Sequence, residues 1–315
     1  MFKNRNVAVF FHYFEASEIY RDNLVFFLST ACSKDMDFYV IISGDCSVLL
    51  PDLDNIKYIY TENKNNDFGG YISALSKLAE GPFYDFYIFI NSSVRGPFLG
   101  FNHKGSWVEL FLNKFTDDVH LVGSSINVIS SESPHSQRFG RYFDYEKPFS
   151  HIQTTAYALS GVAMRHLVNI GFYSVDEVLS KDDVICRYEI RLSQEIKRNG
   201  WDFKCFLSKY NEIDYRKYHV DPNDSSVDGD SLYYGSYFGR TARPYELIFV
   251  KTNRNVFEFS RLHFYTYLSL IRVARKEIRE WSEFRSLKVK TIAGLKKSVK
   301  DNLKNKVVLL FKKFF

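Results

Sequence analysis

Short runs of aromatic and β-branched residues recur through the first hundred positions, at Val7 to His12, Phe38 to Ser43, Tyr58 to Tyr60 and Phe86 to Ile90. They alternate with segments of helical spacing, from about Ser17 to Ser33 and from Tyr71 to Ala79, where Ile72, Leu75, Leu78 and Ala79 recur on one face. Runs of this kind read as buried strands, and a β-α-β series predicts a mostly parallel α/β sheet flanked by helices.

The pattern continues beyond Phe98. A strand is expected at His120 to Gly123, ending in Ser124-Ser125-Ile126-Asn127, and the polar stretch to Lys147 reads as a loop over the sheet edge. From His151 the sequence predicts a short strand and then a helix, and Ile185 to Asn199 predicts another helix that Gly200 ends. Residues 221–236, rich in Asp, Ser and Gly, read as a surface loop, and Arg243 to Asn255 as a strand with a basic turn. A long helix is expected from Val256 to about Trp281. The chain therefore divides into a sheet-based part, 1–255, and a helical part, 256–315.

With 315 residues and a mass of 37.0 kDa the chain can bury a full core. Its 45 % apolar and 25 % charged fractions argue against disorder. Cys32, Cys46, Cys186 and Cys205 are far apart, so neither a zinc cluster nor a disulfide framework is indicated and a reducing cytoplasm fits. His12 and Glu15 interrupt the first apolar run, which is too brief for a signal peptide. No stretch reaches the roughly 18 consecutive apolar residues of a spanning helix.

The net charge of +5 conceals a division: residues 285–315 hold ten Lys or Arg against one acid, Asp301, leaving 32 basic and 36 acidic residues before them. Ile292, Leu295, Val299, Leu303, Val307, Leu310, Phe311 and Phe314 fall on one face of this tail, with lysines on the other. That pattern predicts an interfacial helix on an anionic membrane, the alternative being a basic helix packed on the body or a partner subunit. Nucleic acid is not the expected partner, since the positive charge sits on an appendage of an acidic body.

Asn63 to Phe98 carries the chemistry. The turn Asn65-Asn66-Asp67 and the pair Gly69-Gly70 precede the second helix, where free amides and the dipole favour an anion such as phosphate. The Phe86 strand stops at Asn91-Ser92-Ser93, and the carboxyl ends of strands in open α/β sheets are where ligands bind. The plainer reading is a βαβ turn in which Asn91 and Ser93 cap backbone groups.

This order of elements resembles the glycosyltransferase A-type fold, in which a strand ends in an Asp-any-Asp motif holding a metal on the donor diphosphate. Here the matching tripeptide is Asn91-Ser92-Ser93, whose amide and hydroxyl groups bind a divalent cation far more weakly than carboxylates. No metal or other cofactor is therefore expected, and Arg95, Lys251, Arg254 and the Gly69-Gly70 amides are the groups available to meet the diphosphate charge.

"YEIRLSQEIKRNG" resembles the acid-bearing segment of inverting members of that fold, and places Glu189 at the position of the catalytic base. Asp182 and Asp183 are rivals, and the structural alternative for Glu189 is a helix N-terminal acid. "NDFGGY", "FINSSVRGPF", "HLVGSSINV", "HIQTTAYAL", "YEIRLSQ" and "PYELIFVKTNRN" occur in this order. Together they resemble a glycosyltransferase-like family related to rhamnan synthesis protein F, over about residues 7–255.

The resemblance implies that Asp67, Gly69, Gly70, Asn91, Ser92, Ser93 and Arg95 line a donor pocket and that Lys251 and Arg254 close over phosphate. It places His151 and Gln153 over the diphosphate or the acceptor, with Glu189 as base. The implied activity is transfer of a hexose or deoxyhexose from a nucleotide sugar to a lipid-linked glycan in O-antigen or capsule synthesis. The enzyme would sit on the inner face of the cytoplasmic membrane, beside other glycan-assembly enzymes. The alternative is a non-catalytic subunit that binds a sugar nucleotide or glycan.

Overall fold

Every residue of β1 (Val7–Tyr13) is buried, because β1 lies in the interior of the sheet with a parallel neighbour on each side. In the computed structural model the described residues are 6–288, apart from 79–80, 82, 175–176 and 255, with side chains described as far as 276. The basic amphipathic tail beyond Lys288, expected to meet a membrane, lies outside them.

The chain proceeds from β1 through α1 (Glu18–Thr30), β2 (Asp37–Ser43), β3 (Ile56–Thr61) and α2 (Asn66–Lys77) to β4 (Phe86–Asn91). Next come β5 (Val94–Arg95), α3 (Trp107–Leu112), β6 (Val119–Gly123), β7 (Ile126–Asn127), α4 (Pro134–Tyr142), β8 (His151–Ile152), β9 (Ala156–Ser160) and α5 (Gly161–Asn169). A continuous helix follows, made of α6 (Lys181–Val184), a π-helical stretch Ile185–Ile190 and α7 (Arg191–Arg198). β10 (Asp202–Cys205), a 3-10 turn (Ser208–Tyr210), α8 (Pro244–Leu247), β11 (Val250–Lys251) and α9 (Phe259–Lys288) complete the described elements.

Seven strands form the main sheet in the order β10-β6-β9-β4-β1-β2-β3. All neighbours are parallel except β9, which runs antiparallel to both β4 and β6. The sheet is thus mostly parallel and flanked by helices, as the sequence predicts. A ladder of rings crosses one face: Phe10 stacks on Tyr39 at 5.0 Å and on Phe89 at 5.1 Å, and Phe89 on Tyr157 at 5.0 Å. Burying such a side chain contributes about 1.5–3 kcal/mol. The high aromatic content therefore serves the core first.

The reversed strand positions the site. Ile90 pairs with Ala156, so β9 starts at the sheet edge where β4 ends. The residues just before it, His151 to Thr155, are thereby carried to the carboxyl edge of the parallel strands. The Asn91 amide donates to the Thr155 carbonyl at 3.0 Å and fixes that placement.

Three local expectations are refined. The segment 124–147 holds α4, started by Ser133, whose hydroxyl accepts from the Ser136 amide. Residues 243–254 form α8 and then only a two-residue strand, because Pro244 opens a helical turn that Glu246 caps through the Arg243 amide at 2.9 Å. The helix read from Ile185 begins at Lys181, on a Ser180 cap. The chain forms two compact units, the first ending at Glu258 and the second beginning at Phe259. Among the described residues no helix is long and apolar enough to cross a membrane.

Candidate functional site

At the end of β4, Asn91 donates its amide nitrogen to Asp67 Oδ2 at 3.0 Å, while its amide oxygen accepts the Ser93 amide at 3.1 Å and the Ser93 hydroxyl at 2.5 Å. Asp67 stands in the first turn of α2. One side chain thus joins the start of α2 to the turn after β4. Asn65 fixes that start, donating to the Glu177 carbonyl and accepting from the Leu179 amide, both at 2.8 Å.

Glu189 sits in the π-helical stretch, a wide turn that occurs frequently at functional sites. Two residues of α7 hold β8 against this helix: Ser193 Oγ accepts the Ile152 amide at 2.9 Å, and Gln194 donates to the Ser150 carbonyl at 2.8 Å. His151, caught between them, is buried with Nε2 3.8 Å from Glu189 Oε1. Its Nδ1 donates to the Phe149 carbonyl at 3.0 Å, which leaves Nε2 as the lone-pair nitrogen of the neutral ring. Burial lowers the His151 pKa to about 4, so the ring is neutral at physiological pH.

The third contribution comes from β11, which pairs antiparallel with β5 so that Lys251 stands opposite Val94. Thr252 locks the pairing through its amide and hydroxyl, both bonded to the Ser93 carbonyl, at 2.8 and 3.0 Å. Arg254 follows, its guanidinium ion-paired with the buried Asp230 and 4.7 Å from the centre of the Tyr233 ring.

These groups share one electrostatic neighbourhood. Burial raises the Asp67 pKa from 3.8 to about 6; the Asn91 hydrogen bond and Lys251 oppose the rise, and the Glu189 charge adds to it. Burial also raises Glu189, helped by Asp230 and opposed by Lys251, the Thr154 hydroxyl and Arg254. Lys251 is lowered first by burial and then by Arg254, against the pull of Glu189, Asp230 and Asp67. A carboxylate held above its usual range beside a neutral imidazole is a proton acceptor, and two adjacent cations suit an anion. Among the described residues, no group of three or more His, Cys, Asp or Glu is arranged to hold a metal ion.

Five sequence-derived residues have other partners. Arg95 is buried and turned into α1, its Nε donating to Asn23 Oδ1 at 2.9 Å and its Nη2 standing 3.7 Å from Asp22. Ser92 is buried and ties β4 to β1, its hydroxyl 3.3 Å from both the amide and the carbonyl of Phe14. Gln153 is buried and accepts from the Ser125 hydroxyl at 2.7 Å.

The two glycines lie inside α2, which begins at Asn66 rather than after them. The Gly69 amide donates within the helix to the Asn65 carbonyl at 3.3 Å. A Cβ on Gly69 would meet the Lys64 carbonyl oxygen at 1.8 Å, and one on Gly70 would meet His12 Cδ2 at 2.3 Å. Both glycines therefore serve close packing, of α2 on its own lead-in and on β1.

Sequence reasoning missed Asp230 and Thr154 as members of the cluster. Thr154 lies inside the quoted "HIQTTAYAL", next to residues that were singled out. Asp230 lies in a stretch that reads as a polar surface loop, but its backbone bridges Asn127, which is itself paired with His151. No local signal announces that three-row ladder.

No protein-family model matches the chain, and no curated protein matches it. Among solved structures it is similar to the apo structure of WbbM, described as a bifunctional glycosyltransferase, at 12 % identity and a TM-score of 0.34. That match covers 63 % of this chain, which spans only 38 % of the WbbM chain. The galactosyltransferase LgtC, in complex with donor and acceptor sugar analogues, is similar at 12 % identity and a TM-score of 0.34, covering 68 % of this chain and 80 % of its own. An active-site mutant of LgtC matches to the same extent.

Proposed function

We propose that this chain is a glycosyltransferase that moves a hexose or deoxyhexose from a nucleotide-diphosphate sugar to a glycan acceptor with inversion. One observation carries the reading. Segments distant in sequence bring Asp67 and Asn91, His151 and Glu189, and Lys251 and Arg254 into one charged cluster at the carboxyl edge of a mostly parallel sheet.

In this reading Glu189 takes the proton from the acceptor hydroxyl as its oxygen attacks the anomeric carbon, and the bond from that carbon to the diphosphate breaks on the opposite face. The departing diphosphate carries the negative charge, which Lys251 and Arg254 meet. One carboxylate suffices for this chemistry, unlike the carboxylate pair of a hydrolase. Asp67 and Asn91 line the donor side, and His151 stands beside Glu189 as a buried neutral ring. Arg95 and Ser92 support the site from behind, as braces between β4, β1 and α1.

The diphosphate is held here without a metal, since Asn91-Ser92-Ser93 offers only amide and hydroxyl oxygens. We further propose a lipid-linked acceptor of the kind used in O-antigen or capsule assembly, with residues 285–315 holding the enzyme on the anionic inner leaflet. Truncation after Trp281 then releases the protein from membranes and spares activity on a soluble acceptor.

The test is incubation with a panel of nucleotide sugars and a lipid-linked or synthetic acceptor, with and without EDTA. Transfer that survives EDTA is the expected result. Absence of both transfer and donor hydrolysis with every pair would sink the enzymatic reading in favour of a sugar-nucleotide or glycan-binding subunit. Transfer abolished by EDTA would sink the metal-free part alone.

A further inference from the structure

The ladder that carries His151 has a middle rung. Asn127 in β7 pairs with His151 on one side and bridges Asp230 on the other, both antiparallel. Residues directly opposite one another in such a ladder point their side chains to the same face. His151, Asn127 and Asp230 therefore stand in a row on the face that holds the cluster. The Val128 amide donates to the Gly229 carbonyl at 3.0 Å and keeps the loop on β7. Gly229, at φ +80°, has no room for a side chain: a Cβ would lie 2.3 Å from the Val128 carbonyl oxygen. Tight backbone packing thus fixes the row.

The two ends of the row have partners of opposite kind. His151 lies 3.8 Å from Glu189, the base, and Asp230 is ion-paired with Arg254, which meets the departing diphosphate. In a displacement with inversion the reacting carbon lies between the acceptor oxygen, whose proton goes to the base, and the leaving oxygen. The transferred sugar then lies over the middle of the row. Asn127 is the side chain there.

Its amide is not used by the fold. Oδ1 is buried with no hydrogen-bond partner, although Asn127 keeps part of its surface open. Nearby carboxamides are engaged: Asn91 Oδ1 accepts from Ser93, and Gln153 Oε1 from Ser125. An unpaired buried oxygen costs stability, and an apolar residue of the same size would avoid that cost. The χ2 torsion of Asn is broad, so a half-turn exchanges oxygen and nitrogen at the open side. One end accepts and the other donates, the two roles that neighbouring sugar hydroxyls require.

We infer that Asn127 reads the hydroxyls of the transferred sugar. This rests on the transferase reading, and it adds a specificity-determining residue for the donor sugar, separate from the groups that meet the diphosphate.

The experiment is calorimetry of the full chain, as wild type, Asn127→Ala and Asn127→Leu, with melting temperatures recorded for each. The probes are the glucose and galactose conjugates of uridine diphosphate, the mannose conjugate of guanosine diphosphate, the rhamnose conjugate of thymidine diphosphate, and the three diphosphates without sugar. Both variants should bind the conjugate that wild type prefers about tenfold more weakly, the size of one hydrogen bond. The bare diphosphate should bind them within about twofold of wild type, and Asn127→Leu should melt no lower than wild type. Unchanged affinity for the conjugate overturns the inference and leaves the transferase reading standing. Variants that fail to fold, or that lose conjugate and bare diphosphate equally, assign Asn127 to the scaffold and overturn it too. Wild type that binds none of the conjugates removes the transferase reading itself, and the role of Asn127 with it.

Discussion

His151 Nε2 faces Glu189 Oε1 across 3.8 Å with no proton of its own to offer, because its Nδ1 hydrogen is given to the Phe149 carbonyl. A neutral ring that donates nothing leaves Glu189 without a hydrogen bond from this side, and burial keeps the carboxylate a stronger proton acceptor. His151→Gln places an amide there that can donate, which stabilises the carboxylate and lowers its pKa. The acidic limb of the pH profile of kcat/KM, set by the free enzyme's base, should then move to lower pH. An unmoved limb with reduced kcat would assign His151 a purely steric role.

Lys251 and Arg254 should separate from the base in kinetics. Each charge-assisted contact to phosphate contributes about 1.5–3 kcal/mol, so Lys251→Met should weaken donor binding by roughly 10- to 100-fold. Arg254→Ala should do the same and also destabilise the fold, since it leaves the buried Asp230 unpaired. Calorimetry with a nucleotide sugar and thermal melts of both variants check this pair of outcomes.

Asp67 gives a pH signature. Its pKa rises from 3.8 to about 6 on folding, so the folded chain binds more proton there than the unfolded chain between those values. Stability contributed by this group therefore falls as pH rises across that window, and the loss is complete above about 6. Asp67→Asn removes the charge and keeps an acceptor for Asn91. At neutral pH it should raise stability by on the order of 2 kcal/mol, with the advantage disappearing near pH 4. Melting temperatures of the two proteins from pH 4 to 7 measure this directly, and donor affinity of the variant should fall if Asp67 lines the donor side.

The two buried histidines act in the opposite sense. His12 and His151 are lowered by burial from 6.5 to about 3 and about 4, so protons bind the unfolded chain first as pH falls below 6.5. Stability should drop through that range, and His12→Gln with His151→Gln should flatten the drop. Acid denaturation midpoints followed by circular dichroism test it.

Gly70 should tolerate no side chain. A Cβ would stand 2.3 Å from His12 Cδ2, and the His12 ring is itself held by Ser43 Oγ at 2.8 Å. Gly70→Ala should therefore cost about 1–3 kcal/mol through overpacking. Urea unfolding measures that loss.

Much of this arrangement is legible in the sequence because it follows from local pattern. The apolar runs at Val7, Phe38 and Phe86 give strands within a residue of their observed bounds, since a strand buried on both faces leaves a continuous apolar trace. Asn91, Glu189, Lys251 and Arg254, which share one charged neighbourhood, each lie within one of the quoted phrases of the sequence. What could not be read is direction. Arg95 stands two residues from Ser93, and only the pairing of β5 with β11 and the presence of Asn23 in α1 turn it inward. Gly69-Gly70 has the composition of an anion turn, but α2 starts earlier and uses the Gly69 amide internally. Asp230 enters through a ladder of three segments far apart in sequence, and such contacts leave no trace in composition.

Glu189→Gln is the most direct test of the proposal that one carboxylate drives the transfer. The variant keeps the shape and the 27 % exposure of the side chain but cannot accept a proton in the relevant range. With a donor and acceptor pair that wild type uses, kcat should fall at least about 100-fold, the size of a lost general base, while donor affinity by calorimetry stays within about twofold. Undiminished kcat in a correctly folded Glu189→Gln protein would contradict it.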